Sequence, residues 1–486
     1  MKNLSKSKKI VLIVLIAIIL IIGVLSIYRL TKIKIFNKGQ YSELCSNLET
    51  DGEKFKSQDD MCNYIIEWAK NNKLEYTLDS NNNIIFVQEA ASNKSSVSPT
   101  VIVVNYNYEN AIDNRRVLSS AAMIAATPLK SGKKIVIFVN NDKNNGNSYY
   151  ALDKNLLSDN SKVVYLDYNE KKSYISRSSF SQTDQTLTVA KNYEETKFDT
   201  VLKISIGGLK SDCMESNTGS HANPIDNLST VLSRLKSKSI TYQIADIKVD
   251  NKGKMFPTSL EATIVLNSYS ADSLKEYMDK RVENFMDSNK DDNPDCYYKY
   301  EFNDNIPEQA MSQTSSDSVT TLLYTLKNGK YKYKDTDKIP EGYEEGDVYS
   351  IASINQIRSD ESNIYIDIST QSASKSIEDK LVKDNNSLAE MANAAIVTTS
   401  HYDPFLNSND NLENMLKSTY YKVSDLSGTE TSLKSDVDNY FTPMSYLSDI
   451  NSAMNIVHIR ENKSSSAIIT NMLLVYVQTK GNFLNL

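Results

Sequence analysis

The stretch TVIVVNYNYENAIDNRR, Thr100–Arg116, decides how the chain is read. Val101–Val104 is an apolar, β-branched run with the composition of a buried strand. A polar turn follows, carrying Asn105, Asn107 and the pair Asp113-Asn114. Val117–Ala126, rich in small residues, predicts a helix that Pro128 ends. A strand running through a polar turn into a helix is the repeating unit of an open α/β sheet. Ligands of such sheets gather just past the carboxyl ends of the strands. Asn105, Asn107 and Asp113 stand at that exit.

The flanking sequence keeps this rhythm. Ser57 opens a helix with Asp60 three residues on, and Met61, Tyr64, Ile65, Trp68 and Ala69 follow at helical spacing. Leu74–Leu78 and Ile84–Val87 predict strands around a turn at Ser80–Asn83. Lys134–Val139 and Val163–Leu166 predict two more, the second ending at Asp167. The alternation argues a mainly parallel sheet with helices on both faces.

Near residue 200 the pattern changes to α+β. Val201–Ile206 runs into Gly207-Gly208, and Asn223-Pro224 supplies an N-cap and first-turn proline for an amphipathic helix. Strand-like Ile240–Val249 and Ser259–Leu266 follow, then a helix over Ser270–Phe285 and another over Ile377–Ala395. Strand-like Met454–His458 and an apolar helix over Ala467–Val477 close the chain. No internal repeat is visible.

The chain has 486 residues, room for two domains. Glycine is scarce at 14 residues, which counts against a backbone-lined phosphate or metal cradle. The net charge is −7, yet residues 1–40 hold eight Lys or Arg and no acid, so the remainder stands near −15. A body that acidic repels polyanions and argues against nucleic-acid binding. Cys45, Cys62, Cys213 and Cys296 show no C-x-x-C spacing, against a structural zinc site. A Cys45–Cys62 disulfide and unpaired buried thiols are both open.

Ile10–Tyr28 is an apolar run broken only by Gly23 and Ser26, with Lys2, Lys6, Lys8 and Lys9 before it and Arg29, Lys32, Lys34 and Lys38 after. At about 1.5 Å per residue it spans about 28 Å, enough for a hydrocarbon core. The run lacks the small-x-small exit of a cleaved signal peptide, so an uncleaved anchor is expected. The expected arrangement is a cytoplasmic tail (1–9), a single-pass transmembrane helix (10–28), a tether (29–44) and an extracytoplasmic body at the cell membrane.

Several ordered patches carry a family resemblance. GLKSDCMESNTGSHANPIDNLSTVL (Gly208–Leu232), KMFPTSLEATIVL (Lys254–Leu266), SVTTLLYTLKNG (Ser318–Gly329), IASINQ (Ile351–Gln356) and IYIDISTQSAS (Ile364–Ser374) fall in the order and spacing of the co-catalytic di-zinc peptidases. The chain most resembles the Xaa-His (aminoacyl-histidine) dipeptidases. The resemblance implies a zinc-peptidase-like sheet domain (45–198 and 399–486) interrupted by an inserted α+β lid and dimerisation domain (199–398). It also implies a peptide ligand and a homodimer formed through the lid.

In that family a zinc pair polarises a peptide carbonyl, and a glutamate activates the attacking water. Carried over position by position, the family's His-x-Asp falls at Asn105-Tyr106-Asn107, and the bridging aspartate at Asp113. The Glu-Glu pair is missing, with Asp142 the nearest acid. Further ligands fall at Asp167 and His458. The lid histidine falls at Cys213, a lid arginine at Ala222, and the family's Arg-Ser-Ser at Gln371-Ser372-Ala373. Three residual metal ligands are therefore expected: Asp113, Asp167 and His458. Asn105, Asn107, Asp142 and Cys213 mark degenerate catalytic positions, and the metal is either absent or a residual divalent ion, zinc by resemblance. Arg115-Arg116 could neutralise the carboxylates the metals once held. The leading expectation is an inactive, membrane-anchored pseudo-peptidase acting as a peptide-binding or scaffold module. The alternative is an active metal-dependent dipeptidase with altered ligands, using Asp142, Asp113, Asp167 and His458.

Overall fold

A computed structural model describes residues 36–90, 98–129, 132–141, 146–210, 222–251, 255–334, 338–339, 343–427 and 432–479. The expected tail and membrane anchor lie outside the described residues, as do Asp142 and Cys213. Among the described residues no helix is long and apolar enough to cross a membrane. The chain divides into two compact units, the first Met1–Ser178, Leu406–Val437 and Tyr446–Leu486, the second Ser179–Phe405 and Asp438–Ser445. The second unit starts ahead of the expected residue 199. Its strand Ser181–Ala190 pairs along its whole length with Asn363–Ser372, which commits it to that sheet.

In the first unit α1 (Lys38–Gly52) begins inside the expected tether, and α2 (Gln58–Asn71) follows. The reciprocal cap of α2 forms: Asp60 N–H donates to Ser57 Oγ at 3.2 Å and Ser57 N–H to Asp60 Oδ2 at 3.0 Å. Its eight-stranded sheet comprises β1 (Thr77–Leu78), β2 (Ile84–Glu89), β3 (Thr100–Tyr106), β4 (Lys133–Asn140), β5 (Lys162–Tyr168), β6 (Tyr174–Ser176), β7 (Lys434–Ser435) and β8 (Asn455–Glu461). The order is β1-β2-β4-β3-β5-β8-β6-β7.

Parallel pairing joins β4-β3-β5-β8 and β6-β7, while β1-β2, β2-β4 and β8-β6 are antiparallel. The sheet is thus mixed, and parallel mainly at its centre. β1 is shorter than the expected Leu74–Leu78, and forms only where Thr77 and Leu78 meet Ile85 and Ile84.

Residues of α1, α2, α3 (Arg115–Ala126), α4 (Asn411–Ser427) and α5 (Ser466–Thr479) share one core with Ile102, Val104, Val136, Phe138, Val164, Leu166, Val457 and Ile459. All five helices therefore bury one face of the sheet, where both faces were expected to carry helices. Strand side chains alternate, so the opposite face presents Val103 and Asn105 of β3, Tyr165 and Asp167 of β5, and His458 and Arg460 of β8. The small residues of α3 let it lie close, and the buried Lys134 closes its end: Nζ donates to the carbonyls of Ile124 and Thr127, each at 2.6 Å. A cation there complements the helix dipole. Cys45, Cys62 and Cys296 are free and buried, so the Cys45–Cys62 bond does not form.

The second unit repeats itself, a feature the sequence did not reveal. One half runs strand Thr200–Gly207, helix Pro224–Ser237, strands Tyr242–Asp250 and Ser259–Leu266, helix Ser268–Asn289 and strand Tyr297–Asn303. The other runs strand Ser181–Ala190, helix Gln313–Thr325, strands Val348–Ser359 and Asn363–Ser372, helix Lys375–Met391 and strand Ala395–Tyr402. Both are β-α-β-β-α-β. In the nine-stranded sheet each places its fourth strand outermost and its second innermost, and the halves meet at Val249 and Ile357. Side-chain identity has diverged while burial periodicity kept the topology.

In the first half, the reversal after Gly207 needs glycine. Gly208 has φ +69°, and a Cβ there would lie 2.0 Å from the carbonyl oxygen of Asp295.

Candidate functional site

The strand exits of the first unit gather polar and aromatic side chains. Asn105, near the end of β3, uses both ends of its amide. Its Nδ2 donates to the Tyr165 hydroxyl at 3.2 Å, and its Oδ1 accepts from the Tyr149 hydroxyl. Tyr149 lies in the short helix Asn147–Tyr150, is buried, and stacks on Tyr446 with ring centroids 5.3 Å apart. Burial pushes the Tyr149 phenol well above its ordinary range.

Asn107 caps the short helical turn that follows β3. Its Oδ1 accepts from Glu109 N–H at 2.9 Å and its Nδ2 donates to the Asn141 carbonyl at 3.0 Å. Both asparagines, expected as degenerate ligand positions, hold the local backbone and phenols in place.

Asp113 is exposed in the turn before α3. Asp167 accepts a hydrogen bond from Tyr168 N–H at 2.8 Å and forms an ion pair with Arg460, Nη2 to Oδ2 at 3.0 Å. The parallel register dictates the pair, for Arg460 lies directly opposite Asp167 and His458 directly opposite Tyr165. The Arg460 side chain is 7% exposed and that of Asp167 28%, so water screens the pair weakly. His458 is fully buried, its ring 5.0 Å from that of Tyr165 and 6.3 Å from that of Tyr174.

Sequence reasoning missed Arg460. The signal was available in NIVHIRE and KVVYLDY, where the alternation places His458 and Arg460 on one face and Tyr165 and Asp167 on the matching face. The arginines that were singled out act elsewhere: Arg115 pairs with Glu49 at 3.5 Å and donates to the Ile112 carbonyl.

Glu461 was also missed. It ends β8 on the helix-covered face, fully buried, with the Ser120 hydroxyl 3.3 Å from both carboxylate oxygens. Desolvation raises its carboxyl well above the usual range, against the hydrogen bond from Ser120 and the charge of Arg116. In the second unit, Gln371 stands where the resemblance places an arginine. Its Oε1 accepts from Phe441 N–H at 3.0 Å and its Nε2 donates to Gln182 Oε1 at 3.1 Å.

No protein-family model matches the chain, and no curated protein matches it. Solved structures do. Aminoacylhistidine dipeptidase from Vibrio alginolyticus superposes with a TM-score of 0.59 at 12% identity, over 92% of this chain and 97% of that one. Aminopeptidase PepT from Bacillus cereus gives 0.49 at 9% identity, over 92% and 99%. A tripeptidase from Staphylococcus aureus gives 0.46 at 8% identity, over 92% and 99%. The chain has a peptidase-like α/β fold, similar to that of the aminoacylhistidine dipeptidase.

The donor set does not fit the zinc pair that the resemblance implies. Zinc needs anionic or imidazole ligands converging at about 2.0–2.2 Å. Among the described residues no three His, Cys, Asp or Glu side chains are grouped to hold an ion. Asp167 is engaged by a guanidinium, Asp113 faces solvent, and the Asn105 amide is taken up by two phenols.

Proposed function

We propose that this chain is a dipeptidase-like protein that binds a peptide without hydrolysing it, held at the membrane by Ile10–Tyr28 with its body on the outer side. The ion pair of Arg460 with Asp167 carries the reading. A fixed cation on a would-be ligand opposes a divalent ion by direct repulsion and supplies the counter-charge that the ion would give. The losses at Asn105 and Asn107 and the missing Glu-Glu pair point the same way, because they remove ligands and general base together. The peptidase-like fold and the asparagine amides at the strand exits favour a peptide as ligand, since neutral amides match a peptide backbone.

The test is the metal content of the purified full-length chain, together with Xaa-His dipeptide turnover and binding in added zinc or manganese. The expected result is peptide binding with no stoichiometric metal and no turnover. Stoichiometric metal with turnover abolished by Asp113→Ala would overturn the reading in favour of an altered-ligand dipeptidase. Absence of both binding and turnover would overturn it in favour of a scaffold. Protease treatment of intact cells tests the topology, and a protected body would reverse the orientation.

A further inference from the structure

The nine-stranded sheet of the second unit ends, among the described residues, at Tyr297–Asn303 on one side and Ala395–Tyr402 on the other. The second strands of the two halves already meet inside the chain at Val249 and Ile357, so further strands can add only at these outer edges. An unpaired edge presents a row of backbone donors and acceptors, and proteins commonly guard one with a lone charge. The edge YYKYEFN, Tyr297–Asn303, carries instead one cation and one anion placed evenly about its central residue, Tyr300.

We infer that Tyr297–Asn303 pairs antiparallel with the same strand of a second copy of this chain, about a two-fold axis at Tyr300. The occupant follows from the charges. In that register Lys299 lies opposite the partner copy's Glu301 twice over, on the exposed face of the sheet. Tyr298 lies opposite Phe302, also twice, on the face that packs against the unit's helices. Inside the chain Lys203 already lies opposite Glu301 and Ser205 opposite Lys299. The dimer therefore extends an alternating charge row across the axis.

Opposite charges directly across a strand pair stabilise it, and like charges destabilise it. An isologous pairing of this kind closes at two copies and leaves no growing edge at the axis. A groove of about 770 Å³ runs beside the strand, lined by Lys203, Ser205, Asp279, Glu283, Tyr298 and Tyr300, and gives the incoming strand's side chains room. The opposite edge, AIVTTSHY, has no acid and no Lys or Arg to set a register. This inference concerns the second unit and stands independently of the peptide-binding reading.

The experiment is the mass of the full-length chain in detergent, by light scattering, for wild type and charge-swap variants. Wild type is expected at two copies. Lys299→Glu and Glu301→Lys, each placing two like-charge pairs across the axis, are expected to weaken association about tenfold or more. The double swap restores it. Both side chains are exposed, so folding is not at issue. Opposed residues of an antiparallel pair lie within disulfide reach, about 4.5–5.5 Å between Cα atoms. Oxidised Tyr300→Cys is therefore expected to migrate as a covalent dimer, while Tyr324→Cys, at an exposed helical site, is not. A single-copy wild type, or a dimer indifferent to either single swap, would overturn the inference.

Discussion

Arg460 Nη2 reaches Asp167 Oδ2 at 3.0 Å across two parallel strands whose register places the residues directly opposite each other. The guanidinium is nearly buried, so the pair is coupled to folding. Removing one partner strands the other charge in a poorly solvated place.

Arg460→Ala and Asp167→Ala should each destabilise the first unit by about 2–3 kcal/mol, the discounted scale of a partly buried pair. The double variant should lose less than the two together, because the pair is a single interaction. Denaturant midpoints of the four proteins test this, and strict additivity would contradict a direct pairing.

Restoring the expected ligands should not restore zinc. In Asn105→His with Asn107→Asp, Arg460 still occupies Asp167, so zinc in the purified protein should stay well below one ion per chain. Adding Arg460→Ala should raise it, if the cation is what excludes the ion. Metal analysis of the purified variants decides between these outcomes without any activity assay.

Glu461 makes stability depend on pH. Below about pH 4 its carboxyl is protonated whether the chain is folded or not. As pH rises, the unfolded chain releases the proton first, because burial raises the folded value well above the ordinary one. The folded state then binds more protons, so stability falls with rising pH until the folded group itself titrates. Ser120, Arg116, Asp167 and Tyr41 are the groups that act on it or respond to it. Glu461→Gln should match wild type near pH 4 and exceed it increasingly toward pH 8. Thermal midpoints across that range provide the measurement, and parallel curves would mean the carboxyl is charged in the fold.

Gln371→Ala removes the acceptor of Phe441 N–H and the donor to Gln182. The expected cost is about 1–2 kcal/mol, with faster hydrogen exchange at the Phe441 amide. Unchanged exchange there would show that the bond does not hold this segment.

Much of the first unit was legible from its pattern. The run Val101–Val104 became a fully buried strand, Ser57 and Asp60 formed their reciprocal cap, and Asn223-Pro224 started its helix. These features depend on neighbours a few residues away, and local sequence encodes them directly. The site was harder to read. Asp113, Asp167 and His458 were singled out as a set, yet one faces solvent, one binds Arg460 and one is buried among tyrosine rings. Arg460 and Glu461 passed unnoticed, since their importance comes from partners hundreds of residues away.

The duplication in the second unit shows the same limit. Each half satisfies the strand and helix periodicities with different residues, so comparing one stretch with another finds nothing, while the sheet order makes the repeat plain. By itself the sequence determined which segments are strands and helices, which of their faces are apolar, and that Asn105 and Asn107 stand at the exit of the central strand. Only the tertiary structure decided what those exits hold. Register between distant strands brings Asp167 to Arg460 and Tyr165 to His458, and register is a property of two segments together.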